Sequence, residues 1–185
     1  MTSFGFVTDL VLAENLHRAN ELILELVIQT NLSSNQDREI LLSSLRKAII
    51  IQIASVVEAL LFYQLKINCQ ELEFELKDAW DYFEAHKIHN SPHSTEEIVW
   101  CKRRPVKKTL LNLDFFHLIQ ISADKKIVTD KKLLTDLEKL RKLRNKMHLG
   151  GLTTVETIYQ PADQEFGFEV LEKVKHLVEQ KVANG

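Results

Sequence analysis

At 185 residues, with 45% hydrophobic and 27% charged residues, the chain has the make-up of a protein that buries a core, which excludes a disordered segment. A formal net charge of -2 gives no overall bias toward nucleic acid or a membrane surface, so a polyanionic partner would have to meet a local patch. Five Gly and three Pro leave few turns, and few turns in a chain this long imply long elements, hence helices.

Cys69 and Cys101 lie far apart without CxxC spacing, which is neither a disulfide framework nor a zinc site and fits reduced thiols. The first residues lack a basic segment followed by an apolar run, so no signal peptide is read there. Residues 48–63 are the most apolar, but Gln52, Ser55 and Glu58 interrupt them, and the stretch reads as too short and too punctuated to span a bilayer. The expectation is a cytoplasmic protein without a membrane partner.

In chain order, the first predicted helix covers residues 8–29, where Leu12, Leu16, Ala19, Ile23 and Leu26 recur at intervals of three and four. Residues 31–35 read as a turn, and Ser34 followed by Asp37 resembles a helix-start signal. A second helix, residues 37–67, is apolar around most of its circumference and must therefore be central, with other helices covering it on several sides. Its polar interruptions, Gln52, Ser55 and Glu58, form one narrow stripe that either faces solvent, pairs with neighbouring helices or looks into a site. A third helix is predicted over residues 71–86, with Leu72, Leu76, Ala79 and Phe83 on one side. The irregular stretch 87–104 follows, broken at Asn90-Ser91-Pro92. A fourth helix is predicted over residues 106–121. A fifth runs from near Asp130 to the Gly150-Gly151 pair, which suits a left-handed helix stop. Residues 153–159 read as an extended connection, and a last helix covers residues 168–182. No internal repeat or linker divides residues 1–185, so the expected architecture is a single all-α domain, an up-and-down bundle of five or six helices.

The fifth helix carries the chemistry. At about 100° per residue, Lys131, Lys132, Thr135, Glu138, Lys139, Lys142 and Lys146 gather on one side, and Leu133, Leu134, Leu137 and Leu140 on the other. Continued toward the C-terminus, the core stripe reaches Arg141, Arg144 and His148, with Asn145 at its edge. A guanidinium is costly to desolvate without a partner, so these arginines either pair with carboxylates of a neighbouring helix, such as Glu58, or serve a site.

The run Leu140-Arg141-Lys142-Leu143-Arg144-Asn145-Lys146-Met147-His148-Leu149 resembles the signature of the HEPN superfamily, helical domains of prokaryotic toxin–antitoxin, CRISPR and antiphage systems. In that family an Arg, often followed by Asn, precedes a His near the end of a late helix by four to six residues. The family also has an early apolar helix with a phrase similar to Ala54-Ser55-Val56-Val57-Glu58-Ala59-Leu60-Leu61. Both phrases occur here in that order, about ninety residues apart. Only three residues separate Arg144 from His148, whereas six separate Arg141 from it, so which arginine takes the family role stays open.

The resemblance implies metal-independent RNA cleavage at a homodimer cleft, with Arg141, Arg144, Asn145 and His148 as the site, no cofactor, and a cognate antitoxin or other protein as a further partner. Histidine exchanges protons near neutral pH, and arginine offers a planar fork of donors to a phosphate. The alternative the family allows is a catalytically inactive helical protein-interaction module.

Three further features bear on function. His86, His89 and His93 lie near Cys101, but Asn90 and Pro92 break any helix that would align them, so no metal site is expected. Lys102-Arg103-Arg104-Pro105-Val106-Lys107-Lys108 is the one dense basic run; it reads as a solvated helix start or as an RNA-phosphate surface through Lys102, Arg103 and Arg104, with Glu58 facing the same substrate. Trp80 and Trp100 read as packing residues and not as base-stacking platforms. Gly-rich phosphate loops and the GxSxG elbow are missing from the sequence, so those routes of nucleotide hydrolysis and serine esterase chemistry have no support.

Overall fold

The computed structural model describes residues 4–34, 38–90, 97–145 and 158–183. Five α-helices run α1 Leu10–Ser33, α2 Glu39–Asn68, α3 Phe115–Asp124, α4 Lys131–Asn145 and α5 Pro161–Ala183. Between α2 and α3 the chain forms two strands, β1 Glu73–Asn90 and β2 Glu97–Thr109, and a short 3-10 turn, Leu110–Asn112. The protein is therefore mostly helical but not all-α, and its contacts separate two compact units: Met1–Cys69 with Asp114–Gly185, and Gln70–Leu113.

In the helical unit α2 is the central element, packed by α1, α3, α4 and α5. Ile49, Ile50, Ile53, Ala54, Val57, Leu60, Leu61 and Leu65 are all fully buried, as a helix apolar around its circumference requires. The helix is 30 residues long, and by length and composition alone it could cross a membrane, which corrects the reading of this stretch as too short and too interrupted. Of its most apolar 18-residue window, 61% is buried inside the protein, as in a core helix. Gly167 of α5 lies against α2, where an added Cβ would stand 3.3 Å from Ile53 Cδ1, so glycine permits the close approach.

The helix ends are set by side chains. Asp9 caps α1, accepting from the Leu12 amide at 3.1 Å, and also receives Lys66 Nζ at 2.9 Å. The expected turn at residues 31–35 gives way to helix through Ser33, with Ser34 Oγ donating to the Asn31 carbonyl; Asp37 lies outside the described residues. α5 starts seven residues earlier than expected because Pro161 opens it, a position where the missing N–H costs nothing. Asp163 then takes the Gln160 amide at 2.9 Å. Gly150-Gly151 and residues 153–157 lie outside the described residues.

The helices expected over residues 71–86 and 106–121 are corrected. Residues 73–90 and 97–109 pair as antiparallel strands, with Glu73 opposite Thr109 and Tyr82 opposite Arg103. The three-to-four spacing of Leu72, Leu76, Ala79 and Phe83 is coincidental: Leu72 is exposed, while Phe74 and Leu76 alternate as buried residues in the strand sense. Aromatic and β-branched residues at Trp80, Tyr82, Phe83, Val99 and Trp100 favour a pleated surface, and pairing with a second strand overrides the helix formers between them. The register shifts between Phe83 and His86, where Glu84 adopts φ 51°, a bulge in β1.

Candidate functional site

The α4 pattern fits the sequence reading over its first turns. Leu133, Leu137 and Leu140 are buried, and Lys131, Lys132, Lys139 and Lys142 are exposed. In the last turn Leu143 takes the core position, which moves Arg141 and Arg144 to the two half-buried rims of the stripe.

Arg144 reaches across to α2. Its Nη2 lies 3.2 Å from Glu58 Oε2, with side-chain exposures of 30% and 24%. Burial pushes the Glu58 carboxyl above its ordinary range; the Arg144 charge pulls it back, and the nearby Asp114 charge pushes it up again. Of the polar stripe on α2, Ser55 is exposed and Gln52 half-buried, so only Glu58 turns toward another helix through an ion pair. Arg141 behaves differently. Its Nε and Nη2 both donate to Glu138 Oε2, at 3.0 and 2.9 Å, and its guanidinium sits 5.0 Å from the centre of the Phe116 ring of α3. Asn145, the last described residue of α4, is exposed. His148 lies outside the described residues.

The start of α3 adds groups that the sequence reading missed. Asp114 caps the helix: its Oδ1 accepts the His117 amide at 3.0 Å and lies 2.9 Å from His117 Nδ1. An ionised carboxylate only accepts, so Nδ1 carries the proton of that bond. His117 itself is buried. The signal was present, since an Asp three residues before a His at the start of an apolar run is a cap pattern. It went unread because the predicted helix ran straight through Asp114 from residue 106.

The end of α4 is anchored from the opposite side. Tyr159 donates its hydroxyl to the Leu143 carbonyl at 3.1 Å, a buried bond. Its own amide donates to Ser43 Oγ at 2.9 Å, and its carbonyl accepts from Arg46 Nη1 at 3.2 Å, both from α2. One aromatic residue thus ties the last turn of α4 to α2, close in sequence to the Arg144–Glu58 pair.

The remaining predicted residues belong to the hairpin. Lys102, Arg103 and Arg104 stand on β2, not at a helix start. Lys102 pairs with Glu84 and Arg104 Nε lies 3.6 Å from Asp81, both on β1, while Arg103 stacks over the Trp80 ring at 4.4 Å. Trp80 and Trp100 are 37% and 47% exposed, which corrects their reading as packing residues. Among the described residues no three His, Cys, Asp or Glu side chains gather to hold a metal ion, and Cys69 and Cys101 are free thiols.

Chemically, the helical site offers an arginine with donors beyond the one spent on Glu58, a carboxyl whose proton affinity burial has raised, and an Asp–His pair at a helix start. Such a set can bind a phosphate oxygen. Set beside family models, curated proteins and solved structures, the chain matches none of them.

Proposed function

We propose that the chain is a HEPN-like, metal-independent endoribonuclease, a homodimer acting on RNA in the cytoplasm, of the kind that toxin–antitoxin and phage-defence systems employ. The observation that carries this reading is the Glu58–Arg144 ion pair: the two phrases on which the resemblance rests, far apart in sequence, meet through the residue each contributes. That contact favours Arg144 over Arg141, whose guanidinium is held within its own helix by Glu138 and by Phe116. On this reading the helical unit is the family's up-and-down bundle.

In the proposed reaction the ribose 2′-oxygen attacks the adjacent phosphorus and the P–O5′ bond breaks. The products are a 2′,3′-cyclic phosphate and a 5′-hydroxyl. His148 takes the 2′-hydroxyl proton or returns one to the leaving oxygen, and Arg144 donates to the phosphate as charge builds there. No metal enters the scheme. Glu58 orients Arg144 between turnovers.

A second reading, the catalytically inactive helical interaction module that binds an antitoxin or another protein, is favoured by a specific observation. Both arginines already have a carboxylate within ion-pair distance at half-buried positions, as structural pairs do. Incubating wild-type, His148→Ala and Arg144→Ala protein with structured and single-stranded RNA in EDTA separates the two. The nuclease reading expects cleavage by the wild type and a loss of about 100- to 10,000-fold in His148→Ala. If the wild type cuts no RNA and its expression does not slow growth, the interaction module stands instead.

A further inference from the structure

The hairpin β1–β2 presents a surface that the RNA-cleavage reading does not use. Between residues 80–83 and 102–105 the register is regular, so side chains of paired residues share a face. One face carries Trp80 and Pro105, then Tyr82 and Arg103. Tyr82 is 65% exposed, and Arg103 lies flat over Trp80. Trp, Tyr and Arg are the residues that dominate the centres of protein interfaces. A two-stranded sheet is at best marginal in water on its own, and among the described residues no third strand lies beside either edge.

The charges decide what fits. Residues 73–84 of β1 carry five carboxylates and one lysine, while residues 102–108 of β2 carry five cations. A phosphate chain lying along this sheet would meet both signs side by side, and Lys102, Arg104 and Lys107 are each already paired with a carboxylate of β1. A second hairpin of the same sequence meets no such conflict. Turned about a two-fold axis parallel to the strands, it lays its basic strand over the acidic strand of the first and its acidic strand over the basic one. Because Tyr82 and Arg103 are cross-strand neighbours, the same rotation places each Tyr82 opposite Arg103 of the partner subunit.

We propose that the Trp80–Tyr82–Arg103 face of the hairpin is a dimerisation surface on which a second copy of this chain docks face to face. The surface belongs to a different unit from the motif of α4, and the inference goes beyond RNA cleavage without resting on it: a chain that dimerises and cuts no RNA leaves it standing.

Sedimentation of the full chain at micromolar concentration is expected to show a dimer. Tyr82→Lys and Arg103→Glu should each weaken it by about tenfold or more while leaving the circular dichroism spectrum unchanged. Mixing the two variants should restore a heterodimer. The two introduced charges are opposite in sign and face each other on one side of the axis, and the native Tyr82–Arg103 contact survives on the other. A monomeric wild type, a dimer indifferent to both variants, or variants that fail to complement each other would overturn the inference. So would a hairpin variant that loses single-stranded RNA binding while its dimer persists, because the face would then serve RNA.

Discussion

Glu58 and Asp9 show how two carboxylates of one helical unit come to opposite proton affinities. Asp9, at the start of α1, is held below its ordinary range by the Lys66 hydrogen bond first and by the Leu12 amide next. It favours the folded state above the unfolded value of 3.8 and loses that effect as pH falls through its lower folded value. Glu58 is raised, with burial the largest cause. Between the unfolded value of 4.5 and its raised folded value, the folded chain binds more protons at this site than the unfolded one, so its contribution to stability falls as pH rises through that window. Glu58→Gln removes this dependence. Urea denaturation of wild type and variant at pH 7 and again near pH 4.5 should therefore show the balance moving toward the wild type at the lower pH. A difference that stays constant, or moves toward the variant, contradicts the burial-dominated account of this carboxyl.

For the elements, the last turn of α4 is the one with consequences. Its core contact is Leu143, and its Leu143 carbonyl is satisfied by a residue from outside the helix, Tyr159. Tyr159→Phe keeps the ring and removes the donor, leaving a buried carbonyl unpaired at a cost of about 1–3 kcal/mol. Hydrogen exchange should then rise selectively at the C-terminal amides of α4, and a uniform rise across all helices would argue against local anchoring. Leu137, in the middle of the same helix and fully buried, tests the core instead. Leu137→Ala should cost about 2–5 kcal/mol by denaturant titration, and a cost below about 1 kcal/mol would mean that α4 is not packed as described.

At the scale of the whole molecule, both tryptophans, Trp80 and Trp100, lie in the hairpin unit and none in the helical unit, so fluorescence reports on one unit and helical ellipticity mainly on the other. Their partial exposure predicts ready quenching by acrylamide. In a urea titration the fluorescence transition is expected to precede the loss of helical signal, because a two-stranded hairpin holds far less core than five helices around α2. Coincident transitions at every urea concentration would instead make the two units one cooperative block. Dilution should shift the fluorescence transition earlier if the hairpin face is a dimer surface, since dissociation removes stability by mass action.

What the sequence determined by itself is the long helical frame. α1, the central α2, α4 and most of α5 were legible because burial of a helix leaves a 3.6-residue pattern within one continuous stretch, and the sorting of lysines from leucines on α4 needs no knowledge of the neighbours. The Glu58–Arg144 pairing was legible as one alternative, since a half-buried guanidinium demands a partner and α2 offered a carboxylate. Tertiary structure alone decided the rest. Whether residues 73–90 were helix or strand depended on a second strand some twenty residues later, whose contribution no local window contains. The basic run of β2 resembled a phosphate surface until the carboxylates of β1 came alongside it. Arg141 and Arg144, neighbours on one helix face, were separated in role only by which groups stood opposite them: Glu58 for one, Glu138 and Phe116 for the other. Charges and strands are completed by partners distant in sequence, and helices largely complete themselves.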